Sequence, residues 1–138
     1  MPTTPGLKNV KRRPFSPLYL PKLVNRMSTN AKTAKESNII MTEVVLPNDT
    51  NVFGNLMGGR LMYWMDIAAA LSAGKHCNAP VVTASVDNIS FENPIKLGNV
   101  VHIEAKVSRT FNTSIEVHLK VWGEDIRSNT STKAMKLT

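Results

Sequence analysis

The feature that most constrains this chain is a run almost without charge, residues 61–73, in which Asp66 is the single charged side chain. Two glycines precede the run and Gly74 follows it. Because Gly is common where helices end, the pattern predicts a helix from about residue 58 to residue 73, stopped by Gly74. Apolar residues lie on every side of such a helix, which is typical of a buried one. The run is too short to cross a bilayer, which takes about 20 residues.

Period-two alternation follows the helix. Residues 101–107 and 115–121 each alternate apolar and polar side chains, and Asn112 and Thr113 between them favour a turn, so the two segments predict a β-hairpin. Two more strands are predicted, at residues 39–46 and 81–91. The alternation is typical of an antiparallel sheet with one buried face, and the helix is available to cover that face. We therefore predict an α+β fold in which an antiparallel sheet wraps around one long central helix.

The basic character of the chain belongs to its N-terminal tail. The net charge is +7, and residues 1–26 hold six Lys and Arg residues, no acid and five of the eight prolines. Without regular periodicity, residues 1–37 predict a disordered extension, and residues 38–138 predict one folded domain. Three explanations of the tail stay open: a targeting segment, translation that starts at Met27, or an arm that binds nucleic acid or anionic membrane. Since the domain carries little net charge, we expect neither nucleic acid nor a membrane as its partner.

Cysteine and histidine content limits the chemistry. Cys77 is the only cysteine, which excludes an internal disulfide and fits a reducing compartment, so we expect a cytoplasmic protein. The three histidines are scattered, so no zinc-type ligand spacing exists and we expect no metal.

The last residues predict one more strand. In residues 131–138, Met135 and Leu137 would share one face. A strand that stops there leaves an open sheet edge, so we expect the natural protein or its relatives to continue beyond Thr138.

Asp66 is the residue that fits its predicted surroundings least. None of its neighbours three or four positions away on the helix is basic. A lone buried carboxylate is costly, so it either hydrogen-bonds a loop as a structural residue or serves as a general base or nucleophile in a dry pocket. Gly58 and Gly59 supply N–H groups at the helix start, either in a tight turn or for a developing oxyanion. About 12 Å of helix separates Gly58 from Asp66, so one site would combine groups from two chains.

Small polar side chains crowd the loop before the helix, residues 48–55. Most loops of this composition only make turns and helix caps. Alternatively, Asn51 or Asn55 orients a water or a carbonyl group.

Several ordered motifs resemble one family. Residues 47–59, followed by Met65 and Asp66, resemble the hotdog-fold acyl-CoA thioesterases of the brain acyl-CoA hydrolase and YciA type. Four later segments resemble the same family, at residues 76–78, 82–91, 94–98 and 111–114. The resemblance covers about residues 38–138. It implies a hotdog fold, edge-to-edge dimers that commonly assemble into hexamers as trimers of dimers, and active sites at the dimer interface.

The resemblance also implies roles for individual residues. Asp66 matches the helix aspartate that acts as base or nucleophile, and Asn51 matches a loop asparagine contributed by the partner subunit. Some family domains lack one of the two, and this chain has both. Gly58 and Gly59 would polarise the thioester carbonyl. A further set would bind substrate along the coenzyme A channel: Asn55, Ser85, Val86, Asp87, Lys96, Arg109, Asn112, Thr113 and Ser114. Lys96, a candidate phosphate contact, and Arg109 fit solvated surface charges nearly as well.

We therefore expect an enzyme that hydrolyses fatty acyl-CoA to a free fatty acid and coenzyme A, with no cofactor because coenzyme A is part of the substrate. A non-catalytic acyl-CoA-binding protein of the same fold would need neither Asp66 nor Asn51. A hydratase or dehydratase of that fold usually uses a His near the helix, and His76 lies past the predicted helix end. A nucleic-acid or membrane binder would depend on the tail.

Overall fold

The computed structural model describes residues 32–87 and 89–137. Within them the chain forms one long helix, α1, which spans Gly58–Cys77. Two 3₁₀ helices precede it, at Ala34–Ser37 and Pro47–Asp49. The strands are β1 (Ile39–Val44), β2 (Ile89–Phe91), β3 (Val100–Thr110), β4 (Ile115–Asp125), β5 (Thr130–Lys133) and β6 (Met135–Leu137).

The strands form two antiparallel groups. Four of them make a sheet in the order β1-β3-β4-β5, and β2 pairs with β6 separately. The predicted hairpin is confirmed as β3 and β4, which pair from Val100 opposite Glu124 to Thr110 opposite Ile115. The register shifts between Val107 and Arg109, so Ser108 forms a bulge just before the hairpin turn.

The core lies between α1 and one face of this sheet. Period-two alternation places Val101, Ile103 and Ala105 on that face, where each is fully buried. The helix contributes Leu61, Trp64, Met65 and Ala68 to the same cluster. Burying one large apolar side chain stabilises a fold by roughly 1.5–3 kcal/mol, so this contact holds the sheet against the helix. The predicted α+β architecture of one long helix on an antiparallel sheet is confirmed.

The predicted start of the helix at Gly58 is confirmed, but the predicted end at residue 73 is wrong. The helix continues through Gly74 to Cys77, and Asn78 ends it with φ 54°, the left-handed conformation usual after a helix. Gly74 has a different role, because a Cβ there would lie 3.3 Å from the carbonyl oxygen of Ala79. It permits the chain leaving the helix to pack closely.

The prediction that α1 is buried on every side is wrong for the single chain. Met62, Tyr63 and Leu71 remain 44%, 56% and 52% exposed. The buried residues lie on the opposite face, against the sheet. The sheet of one chain therefore covers only one side of an apolar helix.

Two predicted strands are shorter than expected. The strand predicted at residues 39–46 ends at Val44, since the backbone of Val45 already bonds to the loop carbonyl of Asn99. Of the strand predicted at residues 81–91, residues 81–87 are not in a strand and only Ile89–Phe91 is, paired with β6. Beyond β4, the chain forms two short strands, β5 and β6, on either side of Ala134. Whether Met135 and Leu137 share a face lies outside the described side chains.

The folded part begins before Asn38. Ser37 is fully buried, and its carbonyl accepts a hydrogen bond of 2.8 Å from Ser72 Oγ on α1. The Ser37 hydroxyl also accepts the N–H of Val107 at 3.3 Å. Residues 34–37 thus pack against the domain instead of belonging to the predicted extension, whose residues 1–31 lie outside the described part. No helix in residues 32–87 or 89–137 is long and apolar enough to span a membrane.

Candidate active site

The loop between β1 and α1 is compact and hydrogen-bonded to itself. Asn51 accepts the N–H groups of Phe53 and Asn55 with its side-chain oxygen, at 3.0 and 3.2 Å. Its backbone N–H donates to the Asn55 carbonyl, and Gly54 turns the chain with φ +72°. These bonds are why Asn and Gly suit this loop. They fix the Asn51 side chain relative to the loop.

This loop lies beside the start of α1. Asn51, Asn55 and Gly58 line the same open cavity of about 280 Å³, together with Phe91 and residues 92–95. The Phe91 ring lies beside the helix start, 3.4 Å from the position that a Cβ at Gly58 would occupy. The sequence-predicted residues Asn51, Asn55 and Gly58 are therefore brought together.

The start of α1 has the features of an anion-binding end. Its first turn carries no acidic residue, and the N-cap residue, Met57, makes no side-chain capping bond. The first N–H groups of a helix have no partner within the helix, and its dipole favours negative charge there. Gly58 and Gly59 have no side chains of their own that would cover these N–H groups, which suits a carbonyl oxygen that gains charge.

Asp66 lies about two turns further along, on the exposed face of α1. The prediction of a buried Asp66 is wrong for the single chain, since the sheet covers the other side of the helix. The carboxylate Oδ1 accepts a hydrogen bond from the hydroxyl of Thr83, in the segment that follows the helix. Sequence analysis did not single out Thr83, whose segment was interpreted as a strand.

Asp66 and Asn51 do not share a cavity within one chain. Asp66 is absent from the lining of the cavity that Asn51 and Gly58 share. The helical rise places Gly58 and Asp66 about 12 Å apart along the axis. One chain thus carries the two halves of the predicted site at separate places.

The residues predicted to line a coenzyme A channel occupy three places. Ser85, Val86 and Asp87 lie exposed in the segment between α1 and β2. At the β3–β4 turn, the exposed side chains are Arg109, Asn112, Thr113 and Ser114. Lys96 forms an isolated bridge with Asn55, which places it beside the Asn51 loop. Lys96 thus neighbours Asn55 without lining the cavity that Asn51 and Gly58 share, and the other two groups lie at separate exposed positions of the single chain.

The described residues offer no arrangement of side chains suited to a metal ion. No set of three or more His, Cys, Asp or Glu side chains in residues 32–87 and 89–137 is arranged to hold a metal ion. The pKa of Asp125, at the end of β4, lies below its ordinary value of 3.8, mainly because the carboxylate accepts the backbone N–H of Arg127. Asp125 does not line the cavity that contains Asn51, so its substitution can serve as a control for substitution of Asp66.

The chain is similar to known proteins of one family. The model of the thioesterase superfamily matches residues 53–129. Acyl-coenzyme A thioesterase 11 of Mus musculus is 47% identical over 92 residues, 67% of this chain and 16% of that protein. The chain spans about a sixth of the length of the mammalian relatives it matches.

Solved structures match over more of their length. A hexameric acyl-CoA thioesterase, solved in its apo form, superposes with a TM-score of 0.73 at 36% identity, covering 75% of this chain and 67% of that one. The acyl-CoA hydrolase of Staphylococcus aureus, solved with butyryl coenzyme A and coenzyme A, gives 0.71 at 38% identity, covering 75% and 63%.

Variants of the Staphylococcus aureus hydrolase have also been solved. In them an asparagine, an aspartate and a threonine are each replaced by alanine. In that protein the asparagine precedes the aspartate by 15 positions and the threonine follows it by 17.

Proposed function

The chain belongs to the thioesterase superfamily, and from this membership we propose that it hydrolyses the thioester of a fatty acyl-coenzyme A to a free fatty acid and coenzyme A. The named relatives and structural neighbours are acyl-CoA thioesterases and hydrolases. The hotdog architecture of those neighbours fits the helix and sheet described above.

The observation that carries the proposal is the Asp66–Thr83 hydrogen bond on the exposed helix face. Asn51 precedes Asp66 by 15 positions and Thr83 follows it by 17. The three residues substituted in the Staphylococcus aureus hydrolase have the same types and the same spacing. This agreement supports Asn51, Asp66 and Thr83 as the reacting set, with Thr83 orienting the Asp66 carboxylate.

In the proposed mechanism the thioester carbonyl docks on the N–H groups at Gly58 and Gly59, which stabilise the charge that develops on its oxygen. Asp66 takes a proton from a water, whose oxygen then bonds to the carbonyl carbon. Asn51 orients that water or the carbonyl. The carbon–sulfur bond breaks, and coenzyme A leaves as a thiolate that takes up a proton. Direct attack by Asp66 on the carbonyl, followed by hydrolysis of the anhydride, gives the same products.

We propose that two copies of the chain form each site. Asp66 lies on the apolar helix face that the chain's own sheet leaves exposed, and Asn51 lies in the loop before the start of the same helix. A twofold dimer that covers this face can bring Asp66 of one copy towards Asn51 of the partner subunit. The hexameric neighbour supports assembly of such dimers into trimers of dimers.

The substrate's coenzyme A portion is proposed to lie along the predicted channel residues. Ser85, Val86 and Asp87 lie two to four residues after Thr83, so a ligand bound at Asp66 would pass near them. Lys96, which forms a bridge with Asn55, is proposed to contact a phosphate of coenzyme A. Coenzyme A is part of the substrate and its thiolate is a good leaving group, so the proposed reaction uses no cofactor and no metal. The cytoplasmic location stays a prediction.

The test is thiol release from acyl-CoAs ranging from acetyl to palmitoyl. Asp66→Asn is expected to lower kcat by about 10²–10⁴-fold, because it removes the general base without changing side-chain size. Asp125→Asn is the matched control and is expected to hydrolyse at the wild-type rate. If the folded wild type binds acyl-CoA without hydrolysing any member of the series, the protein is instead a non-catalytic binder.

A further inference from the structure

An ion pair between Asp49 and Arg60 links the Asn51 loop to the first turn of α1. The Asp49 side chain is 9% exposed, and its Oδ1 forms an ion pair with Arg60 Nε at 2.8 Å. The other carboxylate oxygen accepts the N–H of Leu46 at 3.0 Å. The Asp49 carbonyl accepts the N–H of Met57 at 2.9 Å. Asp49 therefore joins the chain after β1, the helix N-cap and the first helical turn at one point.

Arg60 is held from two sides. Arg60 forms the ion pair with Asp49, and its guanidinium carbon also lies 5.8 Å from the centre of the Tyr63 ring, on the next turn of the helix. Its side chain is 38% exposed. A buried carboxylate needs a partner, and among the described residues Arg60 is the cation that forms an ion pair with Asp49. The pair therefore links the loop to the first turn of the helix in addition to the backbone bond between Met57 and Asp49.

The position of this loop determines the position of Asn51. Asn51 follows Asp49 by two residues, and its side-chain oxygen is already bonded to the N–H groups of Phe53 and Asn55. The side chain therefore moves with the loop. A shift of Asp49 relative to α1 would carry Asn51 away from Gly58, with which it shares a cavity.

We propose that Arg60 is a positioning residue for the hydrolysis, whose ion pair with Asp49 fixes the Asn51 loop against the start of α1. Arg60 touches no reacting atom and acts through Asn51. The inference rests on the proposed function, in which Asn51 orients the water or the carbonyl.

The test is a double-mutant cycle on kcat between positions 60 and 51. Arg60→Met keeps the length of the aliphatic stem and removes the ion pair. It is expected to lower kcat about 10- to 100-fold with little change in KM, because small misplacements of reacting groups cost that much. When Asn51→Ala is already present, Arg60→Met is expected to have no further effect. A residue with a merely structural role would lower kcat equally in both backgrounds.

Two further variants and a control complete the design. Arg60→Lys keeps a cation within reach of Asp49 and is expected to recover most of the wild-type kcat. Should Arg60→Met fail to fold, as judged by circular dichroism, Arg60→Gln replaces it in the same cycle, since glutamine still donates a hydrogen bond without charge. Arg127→Met is the matched control, because it removes the Arg127–Asp125 pair, in which the arginine is 88% exposed. It is expected to leave kcat unchanged.

The failures of the two proposals are distinguishable. If the wild type hydrolyses acyl-CoA and Arg60→Met hydrolyses it at the same rate, the inference falls and the proposed function stands. If Arg60→Met lowers kcat equally in the wild-type and Asn51→Ala backgrounds, the inference likewise falls and the proposed function stands. A wild type that hydrolyses no acyl-CoA overturns the proposed function and this inference together.

Discussion

The hydrogen bond between Thr83 and Asp66 gives the sharpest prediction about the proposed chemistry. Thr83 donates its hydroxyl to Asp66 Oδ1 and so restricts the rotation of the carboxylate on the exposed helix face. Thr83→Val removes the hydroxyl and keeps the size and branching of the side chain. We expect the variant to fold normally and to turn over acyl-CoA more slowly, because Asp66 is no longer oriented.

The structure sets the size of this effect. A hydrogen bond to a charged group contributes a net of about 1.5–3 kcal/mol. Both side chains are exposed in the single chain, so water can replace the lost donor and the lower end of that range applies. A loss of about 1.5 kcal/mol corresponds to about a tenfold decrease in kcat.

The assay is thiol release at saturating acyl-CoA for three variants. Thr83→Ser keeps the donor and is expected to stay close to the wild-type kcat. Thr42→Val is the matched control, since it removes a threonine hydroxyl that bonds to His102 on β3, with a distance of 3.1 Å. If Thr83→Val retained full turnover, or if Thr83→Ser lost as much as Thr83→Val, the orienting role of Thr83 would be refuted.

Three other predictions concern stability, pH and assembly. Ile103→Ala, at a fully buried position of β3, should lower the free energy of unfolding by roughly 2–5 kcal/mol in urea titrations; a smaller loss would contradict its place in the core. The pKa of Asp125 is lower in the folded protein than its ordinary value of 3.8. Its carboxylate therefore stabilises the fold at pH values above 3.8, and this stabilisation is lost as the pH falls through the folded pKa. Asp125→Asn should therefore destabilise the protein slightly at pH 7 and equal the wild type in strong acid, which thermal unfolding at both pH values checks. Met62→Arg, on the exposed helix face, should abolish self-association and hydrolysis together in light scattering and thiol-release assays; an active monomer would contradict the two-copy site.

Local patterns predicted most of the fold. The start of α1 and the β3–β4 hairpin follow from features within a few residues, namely a Gly-Gly pair and strict alternation. The helix end was less predictable, because Asn78 takes the left-handed position four residues after Gly74. In residues 81–87 the β-branched composition indicates a strand, yet these residues have no strand partner in the described part of the chain.

Sequence analysis predicted which residues form the candidate site, but it did not predict which side chains contact one another there. Asp66 stands out by its charge in an apolar run, and the loop asparagines stand out by their density. The partner of Asp66 is Thr83, 17 residues away, and the partner of Asp49 is Arg60, 11 residues away. Such pairings depend on how the helix packs against its flanking segments, which periodicity does not encode. The exposed apolar helix face likewise appears only when the sheet is seen to cover one side.

Subunit complementation tests the central claim of a hydrolytic site shared between two copies most directly. Asn51→Ala and Asp66→Asn, each expected to be nearly inactive alone, would be mixed, dissociated and reassembled, and thiol release from acyl-CoA would be measured. With random pairing half of the dimers are hybrids with one intact site each, so we predict recovery to roughly a quarter of wild-type activity. A mixture no more active than either variant alone, from reassembled dimers, would contradict a site that joins Asp66 of one copy to Asn51 of the partner subunit.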